Sequence, residues 1–144
     1  MKSWESGFTL AELLITITIL GVIAALAGPY YFKTIEQARS REALAHLYTI
    51  HRAEKVYQVS NGQYWPIGPG GGAKDTSVGA DFTQIKDNLN IDIFPQYYRI
   101  VITSTVGGAP ALATGFGAVA YRDNAGNKQY AVDAAGTITE SGAF

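Results

Sequence analysis

Cysteine is absent from the 144 residues, methionine occurs once and histidine twice. Without thiols the chain has no disulfide scaffold, no thiolate metal site, no cysteine nucleophile and no lipidated-cysteine anchor, whatever its redox compartment. Charge is scarce too, at 16% of residues, and balanced: 11 Lys and Arg against 12 Asp and Glu give a net charge of −1. That balance excludes the broad basic field expected of a nucleic-acid binder. The length is that of one domain. The mean hydropathy of +0.04 is unevenly distributed, because charge is missing altogether from one stretch near the N-terminus.

That stretch, LLITITILGVIAALAGPYYF from Leu13 to Phe32, runs twenty residues between Glu12 and Lys33. As a helix it extends ~30 Å, about the thickness of a bilayer core. Thr16, Thr18, Gly21, Gly28 and Pro29 are costly in a short soluble helix but tolerated in a transmembrane one. Gly21 with Ala25 and Ala24 with Gly28 are small-residue pairs that let helices approach closely. A buried globular helix fits the length and the missing charge less well. A cleaved secretory signal fits the layout less well, since the polar heptad MKSWESG comes first and nothing after Pro29 resembles a small-residue cleavage site.

The next segment, Lys33 to Asn61, contains no Gly or Pro and reads as an amphipathic helix. Ala43, Leu47, Ile50 and Tyr57 recur at helical spacing, while Glu36, Arg39, Arg41, Glu42, Arg52, Glu54 and Lys55 fall on other faces and read as a mostly solvated surface. Asn61-Gly62 is a helix stop. If both segments join, the helix reaches about fifty residues, with Gly28-Pro29 as its kink or local break.

Residues 62–96 read as loop with one short helix. Asp81 has an N-cap's spacing from Gln84, followed by Ile85 and Leu89. From residue 97 to 144 the texture is β. Tyr98, Ile100 and Ile102 alternate with Arg99, Val101 and Thr103; GFGAVAYR and KQYAVD follow, and TITES closes the chain. The expected class is α+β, a long N-terminal helix packed against a small antiparallel sheet of three or four strands.

Several residue groups carry side chains capable of chemistry. His46 and His51 lie ~140° apart on a helix and cannot join one ligand set. Gly68 to Thr76 lacks the Gly-Lys-Ser/Thr end and the leading strand of a phosphate loop. Asp123, Asn127 and Asp133 supply oxygens suited to calcium, but turns favour the same residues, so no metal or other cofactor is expected. The nine tyrosines read as packing residues, and nothing forms a catalytic set, so the chain is not expected to be an enzyme.

Gly7-Phe8-Thr9-Leu10-Ala11-Glu12, leading straight into an apolar run, resembles the N-terminal signal of type IV pilins and of type II secretion pseudopilins. The resemblance is strongest over residues 1–32 and extends along the helix to Tyr64. It implies a leader of residues 1–7, cut by a prepilin peptidase after Gly7, with N-methylation of Phe8. Residues 8–32 would be the transmembrane and filament-core helix, 33–61 its amphipathic continuation and 97–144 the β head. Leu10, Leu13, Leu14, Ile17, Leu20 and Ile23 would pack the filament core. Implied partners are copies of itself, minor pilins or pseudopilins, the peptidase, an assembly ATPase and its platform protein, and the membrane, with no nucleic acid. The implied location is the bacterial inner membrane for a single-pass precursor, then a surface pilus or a pseudopilus spanning the periplasm. The Asp-Pro-Trp-Gly element common in major pseudopilins does not occur. A membrane-anchored ligand-binding subunit is the alternative from another class.

Glu12 carries the sharpest expectation. A carboxylate one turn inside an apolar segment costs on the order of 2–3 kcal/mol at a helix centre and less near its end, so it calls for a partner. Cleavage after Gly7 would create one, the cationic α-amino group of Phe8 on a neighbouring subunit, and the pair would set axial register. The competing role is local: Thr9 to Glu12 has the spacing of a capping box.

Overall fold

A computed structural model describes residues 7–66, 72–107, 112–122 and 128–142. The elements are α1 (Leu10–Asn61), β1 (Lys74–Asp75), α2 (Gly79–Leu89), β2 (Arg99–Gly107), β3 (Leu112–Tyr121), β4 (Gln129–Asp133) and β5 (Ile138–Ser141). They fall into two compact units, Met1–Ala38 and Arg39–Phe144.

In the first unit, α1 begins at a formed capping box and its residues through Ala27 are all exposed. The apolar stretch holds its own polar groups: Thr16 Oγ1 donates to the Leu13 carbonyl at 2.8 Å and Thr18 Oγ1 to that of Leu14 at 2.7 Å. Neither threonine hydroxyl hydrogen is left facing an apolar medium, the condition for threonine at membrane depth. The helix passes through Pro29 without interruption. Proline therefore removes one backbone donor here and does not break the helix in two.

In the second unit the remainder of α1 lays Ala43, Leu47 and Ile50 into the core with Ile100 and Ile102 of β2, Phe116, Ala118 and Ala120 of β3, and Tyr130 and Val132 of β4. The alternation expected from Tyr98 to Thr103 is the observed burial pattern. The stop also forms as expected: Gly62 takes φ 75°, and its N–H donates to the Gln58 carbonyl at 2.8 Å. A left-handed residue after the last turn is where glycine costs least.

The class is the α+β one expected, with more sheet than the sequence shows. All five strands are antiparallel and neighbours in chain order. The additional strand is β1, whose Lys74 and Asp75 pair with Ile102 and Val101. Two residues are too few for alternation to register, so pairing alone defines β1.

Helix α2 departs from its expected start. It begins at Gly79, with Val78 as an N-cap that makes no side-chain capping bond, and not at a capping Asp81. Asp81 instead accepts from Lys74 Nζ at 3.1 Å and from the Asp75 N–H at 3.4 Å, tying β1 to the first turn of α2. A long-range ion pair has taken the side chain that spacing assigned to a local cap.

The turn between β4 and β5 yields a stability prediction. Gly136 has φ 89°, and a Cβ there would stand 3.1 Å from His51 Nε2. Gly136→Ala is expected to lower stability by about 1–2 kcal/mol through left-handed strain and the imidazole contact. Denaturation of the full chain in neutral detergent measures it; an unchanged midpoint would mean that the turn relaxes freely.

Candidate functional site: the N-terminal assembly segment

Thr9 and Glu12 close a reciprocal pair at the head of α1. The Thr9 N–H and hydroxyl donate to Glu12 Oε2 at 2.9 and 2.8 Å, and the Glu12 N–H donates to Thr9 Oγ1 at 3.2 Å. This is the capping box, satisfying backbone donors the helix start otherwise leaves unpaired. In a single chain, then, Glu12 performs the local one of its two expected roles. Both contacts are exposed, so the carboxylate remains accessible to a second partner.

Ahead of the cap, Phe8 is 73% exposed, and nothing lies within 4 Å of where a Cβ on Gly7 would stand. The backbone on either side of the expected cut is open to approach. Leu10, Leu13, Leu14, Ile17, Leu20 and Ile23 are all exposed. Gly21 and Gly28 are likewise open where a Cβ would stand. Helix α1 is long and apolar enough to cross a membrane, and none of its apolar window is buried within the chain.

Other candidates form no site. Asp123 and Asn127, two of the three possible calcium ligands, lie outside the described residues, as do Gly68 to Gly71 of the glycine-rich segment. Asp133 is committed to its turn, accepting the Thr137 N–H at 2.8 Å, and that bond foremost holds its carboxyl below the usual range. Among the described residues no three His, Asp or Glu side chains are grouped to hold a metal. His46 lies 3.6 Å from Glu42 one turn earlier, while His51 packs against Phe116 at 5.9 Å.

One residue overturns its expected placement. Glu54, read with the solvated charges, is 0% exposed. Its Oε2 accepts the Trp65 N–H at 3.0 Å, while Oε1 has no partner among the described residues. Burial pushes its carboxyl up to about 7 against the opposing pull of that hydrogen bond. The signal was present: Glu54 follows Leu47 by seven and Ile50 by four, on the buried stripe, and its charge masked the spacing.

Comparison with known proteins bears on the N-terminal segment. The family described as the prokaryotic N-terminal methylation motif matches residues 5–28. The type II secretion system core protein G of Aeromonas hydrophila is 33% identical over 63 residues, 44% of this chain and 44% of that protein. A fimbrial protein of Neisseria meningitidis is 36% identical over 87 residues, 60% of this chain and 47% of that protein. The type IV major pilin of Myxococcus xanthus is 34% identical over 58 residues, 40% of this chain and 26% of that protein. The chain thus spans less than half the length of these curated relatives. No solved structure matches it. With its methylation motif leading into the capped, exposed, apolar α1, the chain is similar over its N-terminal part to members of the pilin and pseudopilin family. Proteins of that family are structural subunits, not enzymes.

Proposed function

We propose that this protein is a structural subunit of a type IV pilus or pilus-like filament. It enters the bacterial inner membrane as a single-pass precursor, is cut by prepilin peptidase between Gly7 and Phe8, is N-methylated on Phe8, and polymerises through α1. The observation that carries this reading is the uncharged Leu13–Phe32 stretch, exposed apart from partial cover at Gly28, beginning directly after the Thr9–Glu12 cap that follows Gly7-Phe8. Such a surface is stable only in lipid or against other helices, and the two environments suit successive stages of one life cycle. In the filament Glu12 receives the α-amino group of Phe8 from a neighbouring copy. Helix packing in apolar surroundings is weakly directional, and an ion pair there selects one register. Minor pilins, an assembly ATPase and its platform protein complete the partner set.

A second reading, a pseudopilin of type II secretion, is favoured by the similarity to core protein G in Aeromonas and elsewhere. Both share the processed N-terminus and differ in where the filament stands. Intact mass spectrometry of sheared surface material and of membranes separates them. A chain starting at methylated Phe8 in the sheared fraction supports the pilus. The same chain confined to membranes supports the pseudopilus or a scarce minor subunit. An unprocessed chain in both fractions overturns assembly and leaves an anchored binding subunit.

Gly7 supplies a second test. Gly7→Val is expected to leave the precursor uncut, because a branched side chain blocks the close backbone approach that glycine allows. The read-out is retained precursor mass in membranes; normal processing would mean that Gly7 is not the recognised position.

A further inference from the structure

Three aromatic residues stand together where the uncharged stretch ends. Leu10 to Gly28 contains no Phe, Tyr or Trp; then Tyr30, Tyr31 and Phe32 follow in succession, and Lys33 restores charge. All three rings are open, at 77, 66 and 73% exposure. Tyr31 and Phe32 meet edge to face with centroids 6.2 Å apart. Helix α1 continues through them, and Thr34 Oγ1 donates to the Tyr30 carbonyl at 2.9 Å.

The order of these residues separates two kinds of surroundings. A neighbouring helix covers one side, and residues that pack against it recur three or four apart. Consecutive residues step by ~100°, so these three spread their rings over about 200° of the circumference. That is a partial collar, suited to a layer that surrounds the helix. Tyrosine joins an apolar ring to a hydroxyl that needs a hydrogen-bonding partner, a combination that fits the boundary between hydrocarbon and headgroups. The dimensions of the chain give the same answer independently. Twenty residues back from Tyr31 stands Ala11, beside Glu12, and at ~1.5 Å per residue the separation is ~30 Å, the thickness of a hydrocarbon core. With the collar at one boundary, the Glu12 carboxylate reaches the other. Lys33, exposed and next after the collar, has a stem long enough to carry its charge into the headgroups.

We propose that Tyr30, Tyr31 and Phe32 dock in the lipid headgroup layer and fix the depth of α1, with the hydrocarbon beginning near Ala11 and ending at the collar. This placement rests on the membrane stage of the function proposed above. The occupant of the ring surface is the headgroup layer and not a second copy of the chain. The same depth keeps the Gly7-Phe8 bond, ahead of Ala11, outside the hydrocarbon on the opposite face, where water and a protease reach it.

Because the chain has no cysteine, a single introduced one carries a nitroxide label at a chosen depth. Ile23→Cys and Thr34→Cys, each labelled in the full chain and reconstituted at low density in dioleoyl phosphatidylcholine vesicles, are compared by power saturation. Oxygen reports hydrocarbon, and a water-soluble nickel chelate reports solvent. The Ile23 label is expected to meet oxygen alone, and the Thr34 label to lie at headgroup level. Tyr30→Leu, Tyr31→Leu and Phe32→Leu together keep the uncharged stretch and remove the collar; the Thr34 label is then expected to move inward by about 5 Å, one helical turn. Circular dichroism checks that the helix is kept. A Thr34 label that stays in place in the triple variant overturns the proposal, since Lys33 alone would then set the depth. So does a Thr34 label as deep as that at Ile23 in the chain with its collar intact. A Thr34 label shielded from both reagents would mean that another copy covers this turn, and overturns it too. An Ile23 label that meets the nickel chelate overturns the membrane stage itself, a failure distinct from a misplaced collar, and takes the proposal with it.

Discussion

Glu12→Ala is expected to reduce recovery of this protein in assembled filaments at least tenfold while leaving the membrane-bound, processed chain at normal abundance. In the proposed filament the substitution would remove the acceptor for the Phe8 α-amino group of a neighbour and leave that cation unpaired in an apolar bundle. Breaking one side of a buried ion pair costs about 3–5 kcal/mol, far beyond a factor of ten in an association constant. The structure supplies the necessary control. Glu12 also closes the capping box with Thr9, so loss of the cap must be separated from loss of the charge. Thr9→Ala removes the hydroxyl half of the cap and keeps the carboxylate; a lost cap costs about 1 kcal/mol, small for a helix of 52 residues. Assembly is expected to survive Thr9→Ala and fail in Glu12→Ala. Equal failure of both variants would place the effect in the helix start and remove the register role. Full assembly of Glu12→Ala would remove it as well.

The second large effect belongs to Glu54 and to pH. Its folded-state carboxyl titrates at about 7, against an ordinary value of 4.5. The folded chain therefore keeps this proton to higher pH than the unfolded chain does. Below about 4.5 both states are protonated and burial carries no ionic penalty. As pH rises from there through about 7 the penalty grows, then levels off, reaching on the order of 3 kcal/mol at one pKa unit per 1.4 kcal/mol. Stability from this residue is thus greatest in acid and lost toward neutral and alkaline pH, the reverse of an ordinary salt-bridged carboxylate. Glu54→Gln keeps an oxygen for the Trp65 N–H and cannot ionise. It is expected to raise stability at pH 8 relative to the unsubstituted chain and to gain little at pH 4.5. Paired denaturation curves at several pH values measure the difference, and subtracting them cancels every other titrating group. A difference that does not change between pH 4.5 and 8 would show that Glu54 is solvated when the chain is folded. Glu54→Leu serves as contrast: it fills the core but strands the Trp65 N–H, so its gain at pH 8 should be smaller than that of Gln.

Glu54 also shows where reading a sequence stops. It shares the 3–4 spacing of Leu47, Ile50 and Tyr57, so helical period alone assigns it to the core face, yet its charge argues for water. The conflict is decided by the Trp65 N–H, eleven residues on, which no local pattern brings to that place. Asp81 repeats the lesson in the other direction. Its spacing to Gln84 is that of a cap, and an ion pair with Lys74 across β1 and α2 takes the side chain instead.

What the sequence determined by itself is whatever depends on a short stretch of chain. Gly7-Phe8 and Glu12 before an uncharged run, the Thr9–Glu12 cap, the Asn61-Gly62 stop and the alternation through Tyr98, Ile100 and Ile102 rest on neighbours within a few residues, where backbone geometry and solvent preference act directly. Tertiary structure alone decided the pairing of Lys74-Asp75 with β2, the burial of Glu54, and the gathering of Arg39, Arg99 and Arg122 around one cavity. These join residues tens of positions apart. Their energies arise only once the chain has folded back on itself, when a donor, a charge or an empty volume from one segment meets its complement from another.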